Sequence, residues 1–119
     1  MSKIVVIDDS KFMRNLLTRF LESAGHEVVS WGDVPASELG DRVLEQDPDL
    51  VITDFQMPLY NGVVVTQVVR KAIPGLPVVV LTASHDPLVI KALMLEEVSH
   101  ILHKPLHSEE LLDAVRGVL

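Results

Sequence analysis

Four short runs of apolar residues, each closed by an acidic or hydroxyl-bearing residue or followed by a basic one, constrain this chain more than any other feature. They are Lys3–Asp8, Asp49–Asp54, Leu76–Thr82 and Ser99–His103, with a weaker fifth at Glu27–Trp31. The strong runs are continuous rather than alternating. A strand that is apolar on both sides is buried on both sides, which happens in a parallel sheet covered by helices. Parallel neighbours cannot be joined by a tight turn, so each connection must contain a crossover, usually a helix.

The intervening segments supply those crossovers. Lys11–Ala24 carries Met13, Leu16, Leu17, Phe20, Leu21 and Ala24 at helical spacing, and Gly25 follows as a stop signal. Val34–Gln46 reads as helical despite Gly40. Asp86-Pro87 is a cap and first-turn pair for a helix reaching Leu95. Glu109–Leu119 sets Leu111, Leu112, Val115 and Val118 on one face, with its cap at His107 or Ser108. Gly62–Ala72 contains Val63, Val64, Val65, Val68 and Val69, and by propensity alone would be a strand. The alternation requires a crossover there, so a helix is expected. Residues 1–119 thus read as one α/β domain: a doubly wound five-stranded parallel sheet with five helices on its two faces.

Composition excludes several function classes. The net charge is −7 and the ten Lys and Arg residues are scattered, which argues against direct nucleic-acid binding. Although mean hydropathy is positive, no apolar run approaches the roughly 20 residues of a membrane span. Asp8 and Asp9 arrive too early for a signal-peptide core. Without cysteine there is neither a disulfide nor a thiolate metal site. A cytoplasmic location is the expectation.

The polar residues fall at the strand ends: Asp8 and Asp9 after the first, Asp54 at the third, Thr82 at the fourth, Lys104 after the fifth. Open parallel sheets bind ligands at the carboxyl ends of their strands, so these residues should meet on one rim. Taken singly, each has an ordinary explanation as a turn residue, a helix cap or an exposed lysine. Taken together, all five at successive strand ends do not. Three neighbouring carboxylates repel unless a cation intervenes. A hard cation such as Mg²⁺ takes oxygen ligands and leaves room for phosphate oxygens. A carboxylate can itself serve as nucleophile and form an acyl phosphate.

The ordered motifs Ile4-Val5-Val6-Ile7-Asp8-Asp9-Ser10, Asp49-Leu50-Val51-Ile52-Thr53-Asp54-Phe55-Gln56-Met57-Pro58 with Asn61-Gly62, Val79-Val80-Leu81-Thr82-Ala83 and His103-Lys104-Pro105 resemble the receiver domain of two-component response regulators over essentially the whole chain. The resemblance implies a flavodoxin-like fold with sheet order 2-1-3-4-5. It implies Asp54 as phosphoacceptor, Asp9 as a direct Mg²⁺ ligand, Asp8 as a ligand mainly through water, and the Gln56 backbone carbonyl as a further ligand. Lys104 would pair with the phosphoryl oxygens, and Thr82 would move toward them. The donor would be a phosphohistidine on a sensor histidine kinase or a histidine phosphotransfer protein. The chain departs from the family at Ile101, where many receivers carry an aromatic switch residue, and at Leu106, where Phe is common. Gln56 and Ser84 occupy the positions that influence phosphoryl lifetime in the family.

His100, His103 and His107 flank Lys104 and could suggest zinc, but strand alternation parts the first two and Pro105 separates the third. Exposed or partly packed histidines are the expectation. Met13, Met57 and Met94 read as gap-fillers. The Leu88–Leu95 segment is apolar nearly all round, so it is either deeply buried or partnered. With the fifth strand and last helix it forms the face that receivers use for output partners or homodimers. Two alternatives are kept: a phosphorylation-independent interaction module on the same fold, and an aspartyl-phosphate phosphatase of the haloacid dehalogenase type. The latter resembles Asp-x-Asp after the first strand, where this chain has Asp8-Asp9-Ser10. No DNA-binding segment is present in the 119 residues, which fits a stand-alone receiver or one module of a larger regulator.

Overall fold

The computed structural model describes residues 2–119. Elements alternate without exception: β1 (Lys3–Ile7), α1 (Lys11–Ser23), β2 (Glu27–Trp31), α2 (Ala36–Gln46), β3 (Leu50–Asp54), α3 (Gly62–Ala72), β4 (Val78–Thr82), α4 (Pro87–Leu95), β5 (His100–His103) and α5 (Ser108–Val118). All strand pairs are parallel, in the order β2-β1-β3-β4-β5. Both the fold class and the strand order agree with expectation. Boundaries move by one or two residues: Asp8, Asp49, Leu76, Pro77 and Ser99 lie just outside their strands, and α2 begins at Ala36 rather than Val34.

Burial explains why the continuous runs were apolar. Every residue of β3 and β4 is buried, whereas no residue of the edge strand β2 is more than half-buried. The weaker sequence signal of β2 is the signature of that edge. Two cores result, one on each face of the sheet. On one face Leu17 and Leu21 of α1 and Leu111 and Val115 of α5 pack against Ile4, Val6, Ile52 and Leu81. On the other, Leu39, Val43, Val65, Val69 and Leu93 from α2, α3 and α4 pack against Val5, Ile7, Val51 and Val80.

The valine-rich α3 is a helix, as the alternation required. The Asn61 side chain caps it by accepting from the Val63 and Val64 amides at 2.9 and 3.2 Å. Val65 and Val69, one turn apart, bury the inner face. Tertiary burial therefore overrides the β-branched preference for strand. α1 ends on Gly25 at φ +90, a left-handed position that suits glycine. The α5 cap position is occupied by His107, whose side chain makes no capping bond.

Candidate functional site at the carboxyl edge of the sheet

Strand register assembles the site. Ile7 pairs with Thr53, so Asp8 and Asp54 lie one step further along two adjacent strands. Asp54 pairs with Leu81, which puts Thr82 one residue beyond it on the next strand. Thr82 pairs with His103, and the Lys104 amide donates to the Thr82 carbonyl at 2.9 Å. Residues nearly a hundred positions apart in sequence thus share one rim.

Asp8, Asp9 and Asp54 can bring carboxylate oxygens within 4.8 Å of one another. Asp8 is fully buried, Asp54 almost so, and Asp9 is exposed. The Lys104 ammonium reaches Asp54 Oδ1 at 3.0 Å. Burial pushes the carboxyls of both Asp8 and Asp54 above the usual carboxylate range. Lys104 pulls Asp54 back toward ionisation, while the neighbouring Asp9 charge opposes it. The Ser10 amide, donating to Asp8 Oδ1 at 2.8 Å, does the same for Asp8 against the Asp54 charge. With all three ionised, one ammonium leaves two negative charges in excess.

That excess is what a divalent cation relieves. Asp8 Oδ2 is buried without a hydrogen-bond partner, an arrangement that costs free energy unless something is bound there. The donor set is all oxygen, which fits Mg²⁺ better than a softer metal. Gln56 stands two residues past Asp54 in a loop closed by an isolated bridge to Asn61. Gly62 closes the loop, with its amide donating to the Phe55 carbonyl at 2.7 Å. A Cβ at Gly62 would sit 3.2 Å from Val80 and 3.3 Å from the Phe55 backbone, so a larger residue would press on the loop.

All the residues expected at the rim are on it, although among the described residues no hydrogen bond joins Thr82 to Asp54. The Thr82 hydroxyl instead accepts from the Ser84 amide at 3.0 Å. The histidines behave differently from their sequence cluster. His103 stacks on His85, with ring centroids 4.6 Å apart and planes 3° from parallel, while His100 and His107 are exposed. Among the described residues, no histidine joins a potential metal-ligating group.

The model of the response regulator receiver domain matches residues 4–116. The chain belongs to the response regulator receiver family. It is 33% identical over 117 residues to the DNA-binding response regulator MtrA of Mycolicibacterium smegmatis, covering 98% of this chain and 50% of that protein. It is 35% identical over 127 residues to a protein-glutamate methylesterase/protein-glutamine glutaminase of Geobacter sulfurreducens, covering 98% of this chain and 34% of that one. The receiver therefore spans a third to a half of these longer relatives. Among solved structures, the chemotaxis protein CheY4 of Vibrio cholerae superposes with a TM-score of 0.90 at 27% identity, covering 100% of this chain and 99% of that chain.

Sequence reasoning missed two side chains that brace this receiver's rim. Arg14 Nη1 donates to the Asp8 carbonyl at 2.7 Å. The Tyr60 hydroxyl donates to the Val34 carbonyl at 2.5 Å, tying the β3–α3 loop to the β2–α2 loop. Both contacts run from a side chain to a backbone carbonyl far from it in sequence or across a turn, and no residue pattern announces them.

Proposed function

We propose that residues 1–119 act as one receiver unit in which Asp54 accepts a phosphoryl group, and that the modified state changes what the α4–β5–α5 face binds. The observation that carries this reading is the Asp54 carboxylate at the sheet edge, paired with Lys104 at 3.0 Å and grouped with Asp8 and Asp9. A carboxylate oxygen of Asp54 attacks phosphorus, and the bond from phosphorus to the donor's imidazole nitrogen breaks. The products are an acyl phosphate and a free histidine on the donor, which is a sensor histidine kinase or a histidine phosphotransfer protein.

Asp8, Asp9, Asp54 and the Gln56 carbonyl would hold Mg²⁺, which would supply positive charge for the transferring oxygens. Lys104 supplies a second positive charge and orients Asp54. The Thr82 hydroxyl has its acceptor side engaged by Ser84 and its proton available for a phosphoryl oxygen. The chain's role is that of a phosphoacceptor switch rather than a multiple-turnover enzyme. A cytoplasmic setting accompanies a kinase donor, and no helix among the described residues is long and apolar enough to cross a membrane.

The test is incubation with a small acyl-phosphate donor, with Mg²⁺ or with chelator, followed by intact mass. One added phosphoryl group per chain, only with the cation, is expected. Continuous turnover of donor without accumulation of a modified chain would support a phosphatase instead. Lys104→Ala should retain some labelling but weaken the coupling between labelling and partner affinity, typically about 1–3 kcal/mol in such switches. Unchanged coupling in that variant removes Lys104 from its role.

A further inference from the structure

We propose that Arg14 is a positioning residue for the acidic pocket, fixing the Asp8 carboxylate that would hold the cation through water. This rests on the cation-assisted reading of the site and adds to it a residue outside the three carboxylates, Gln56, Lys104 and Thr82.

Asp8 has four polar atoms, and three are held. Its amide donates to the Trp31 carbonyl at 3.1 Å. Its Oδ1 accepts from the Ser10 amide at 2.8 Å. Its carbonyl accepts from Arg14 Nη1 at 2.7 Å. Only Oδ2 is left, buried and without a partner among the described residues. With the Asp8 backbone held at both polar atoms and Oδ1 held by Ser10, the carboxylate presents Oδ2 in one place.

Arg14 closes the ring that does the pinning. The Arg14 amide donates to the Ser10 carbonyl at 2.9 Å, and Ser10 Oγ accepts from the Met13 amide at 3.2 Å to cap α1. Helix start, acidic turn and strand end are thereby one hydrogen-bonded unit. Asp9, between Asp8 and Ser10 in the chain, is carried by the same unit. Without the guanidinium, the Asp8 carbonyl loses its donor and the turn is tied at one end only.

Gly32 supplies an independent observation. A Cβ added there would lie 2.8 Å from Arg14 Nη1 and 3.3 Å from its Cζ. The guanidinium lies over the glycine backbone just past the end of β2, in space that a side chain would fill. Gly32 does not sit in the left-handed region, so its value here is the room it leaves rather than its backbone freedom. A planar, fixed fork of donors suits such a slot, and the flexible ammonium of lysine does not.

The experiment titrates the metal-free protein with Mg²⁺ alone, reading the fluorescence of Trp31, the single tryptophan, whose carbonyl is bonded to Asp8. Calorimetry gives the same constant independently. Arg14→Ala should weaken Mg²⁺ binding about tenfold or more, as loss of a residue that orients a metal ligand does. Gly32→Ala, which keeps the arginine but displaces it, should weaken binding in the same direction. Arg14→Lys should restore little. Arg19→Ala removes the same charge from an exposed site on the same helix, and should leave binding nearly unchanged. The Mg²⁺ concentration for half-maximal Asp54 labelling should shift with the dissociation constant, while the rate at saturating Mg²⁺ is retained. A folded Arg14→Ala protein that melts earlier but binds Mg²⁺ as the parent does would show a merely structural tie and overturn the proposal. So would an unaltered constant in Gly32→Ala, which covers the case where Arg14→Ala does not fold. A parent protein that binds no Mg²⁺ would overturn the cation reading itself, together with this inference. Normal Mg²⁺ binding without Asp54 labelling would overturn the phosphoacceptor reading alone.

Discussion

The two halves of the sheet's carboxyl edge are built differently. On the β1–β3 side, Asp8 is fully buried and held on three of its polar atoms by Trp31, Ser10 and Arg14. The adjoining loops are tied by the Tyr60 bond to Val34 and by the Gln56–Asn61 bridge. On the β4–β5 side, the hydrogen bonds of the β4–α4 connection run between near neighbours. Ser84 N donates to Thr82 Oγ1, Asp86 N to Ser84 Oγ, and Leu88 N to Asp86 Oδ1. Helix α4 buries Leu93 alone and leaves Leu88, Met94 and Leu95 between 66% and 75% exposed. Under the proposed function, the difference would separate two tasks. Positioning a metal and a nucleophile rewards long-range ties that fix geometry before reaction. A readout element must exist in two arrangements of similar energy, which shallow anchoring permits.

Ile101 sharpens the contrast. It packs half-buried in the core beneath α4 and, being aliphatic, cannot make the aromatic swing expected of many receivers. What bridges β5 and the β4–α4 loop here is the stack of His103 on His85. A readout through this side would therefore use the loop and α4 rather than residue 101.

The largest expected effect tests the shallow anchor. Leu93→Ala removes the one fully buried side chain of α4 and should cost about 2–5 kcal/mol. Hydrogen exchange should show the loss of protection concentrated in α4 and sparing β1 and β3. Equal loss in both regions would break the comparison.

A second prediction concerns charge. Burial holds Asp8 and Asp54 above the ordinary carboxylate value of 3.8. As pH rises above that value, the unfolded chain releases these protons first, and the folded chain keeps more of them bound. Stability of the metal-free protein should therefore fall as pH rises from the ordinary value through the raised ones. Asp8→Asn should flatten that fall, while losing the gain from Mg²⁺. A metal-free melting temperature that climbs through this pH window would contradict the burial account.

Smaller effects probe the ties themselves. Tyr60→Phe deletes the hydroxyl that donates to Val34 and should cost about 1 kcal/mol in denaturant unfolding. Smallest of all, Leu88→Ser and Met94→Ser should change stability by less than about 0.5 kcal/mol. Binding of an output partner or a second copy at that face should nonetheless weaken, as pull-down or sedimentation can measure. A full-sized stability loss would mean that these side chains belong to the core.

Much of the molecule was legible from sequence for a physical reason. Residues buried on both faces leave long apolar runs, and the polar residues that end them lie at one edge by topology. Even α3 was recoverable, because the parallel connection outweighs what Val63–Val65 prefer locally. The half-exposed β2 gave a weaker signal because an edge strand has less to bury. Arg14 over Gly32 and the Tyr60 hydroxyl on Val34 left no pattern at all, since each depends on where two backbone segments meet in space. The histidines near Lys104 are exposed or partly packed, as expected, but the stacking of His103 on His85 left no pattern for the same reason.

Reductive trapping decides whether Asp54 carries the phosphoryl group. Borohydride converts an aspartyl phosphate to homoserine, which peptide mass mapping can locate. After incubation with Mg²⁺ and an acyl-phosphate donor, the predicted result is homoserine at position 54 and nowhere else, absent without Mg²⁺. Conversion at Asp8 or Asp9, or a stable phosphoryl group on a histidine with position 54 unchanged, would contradict the account.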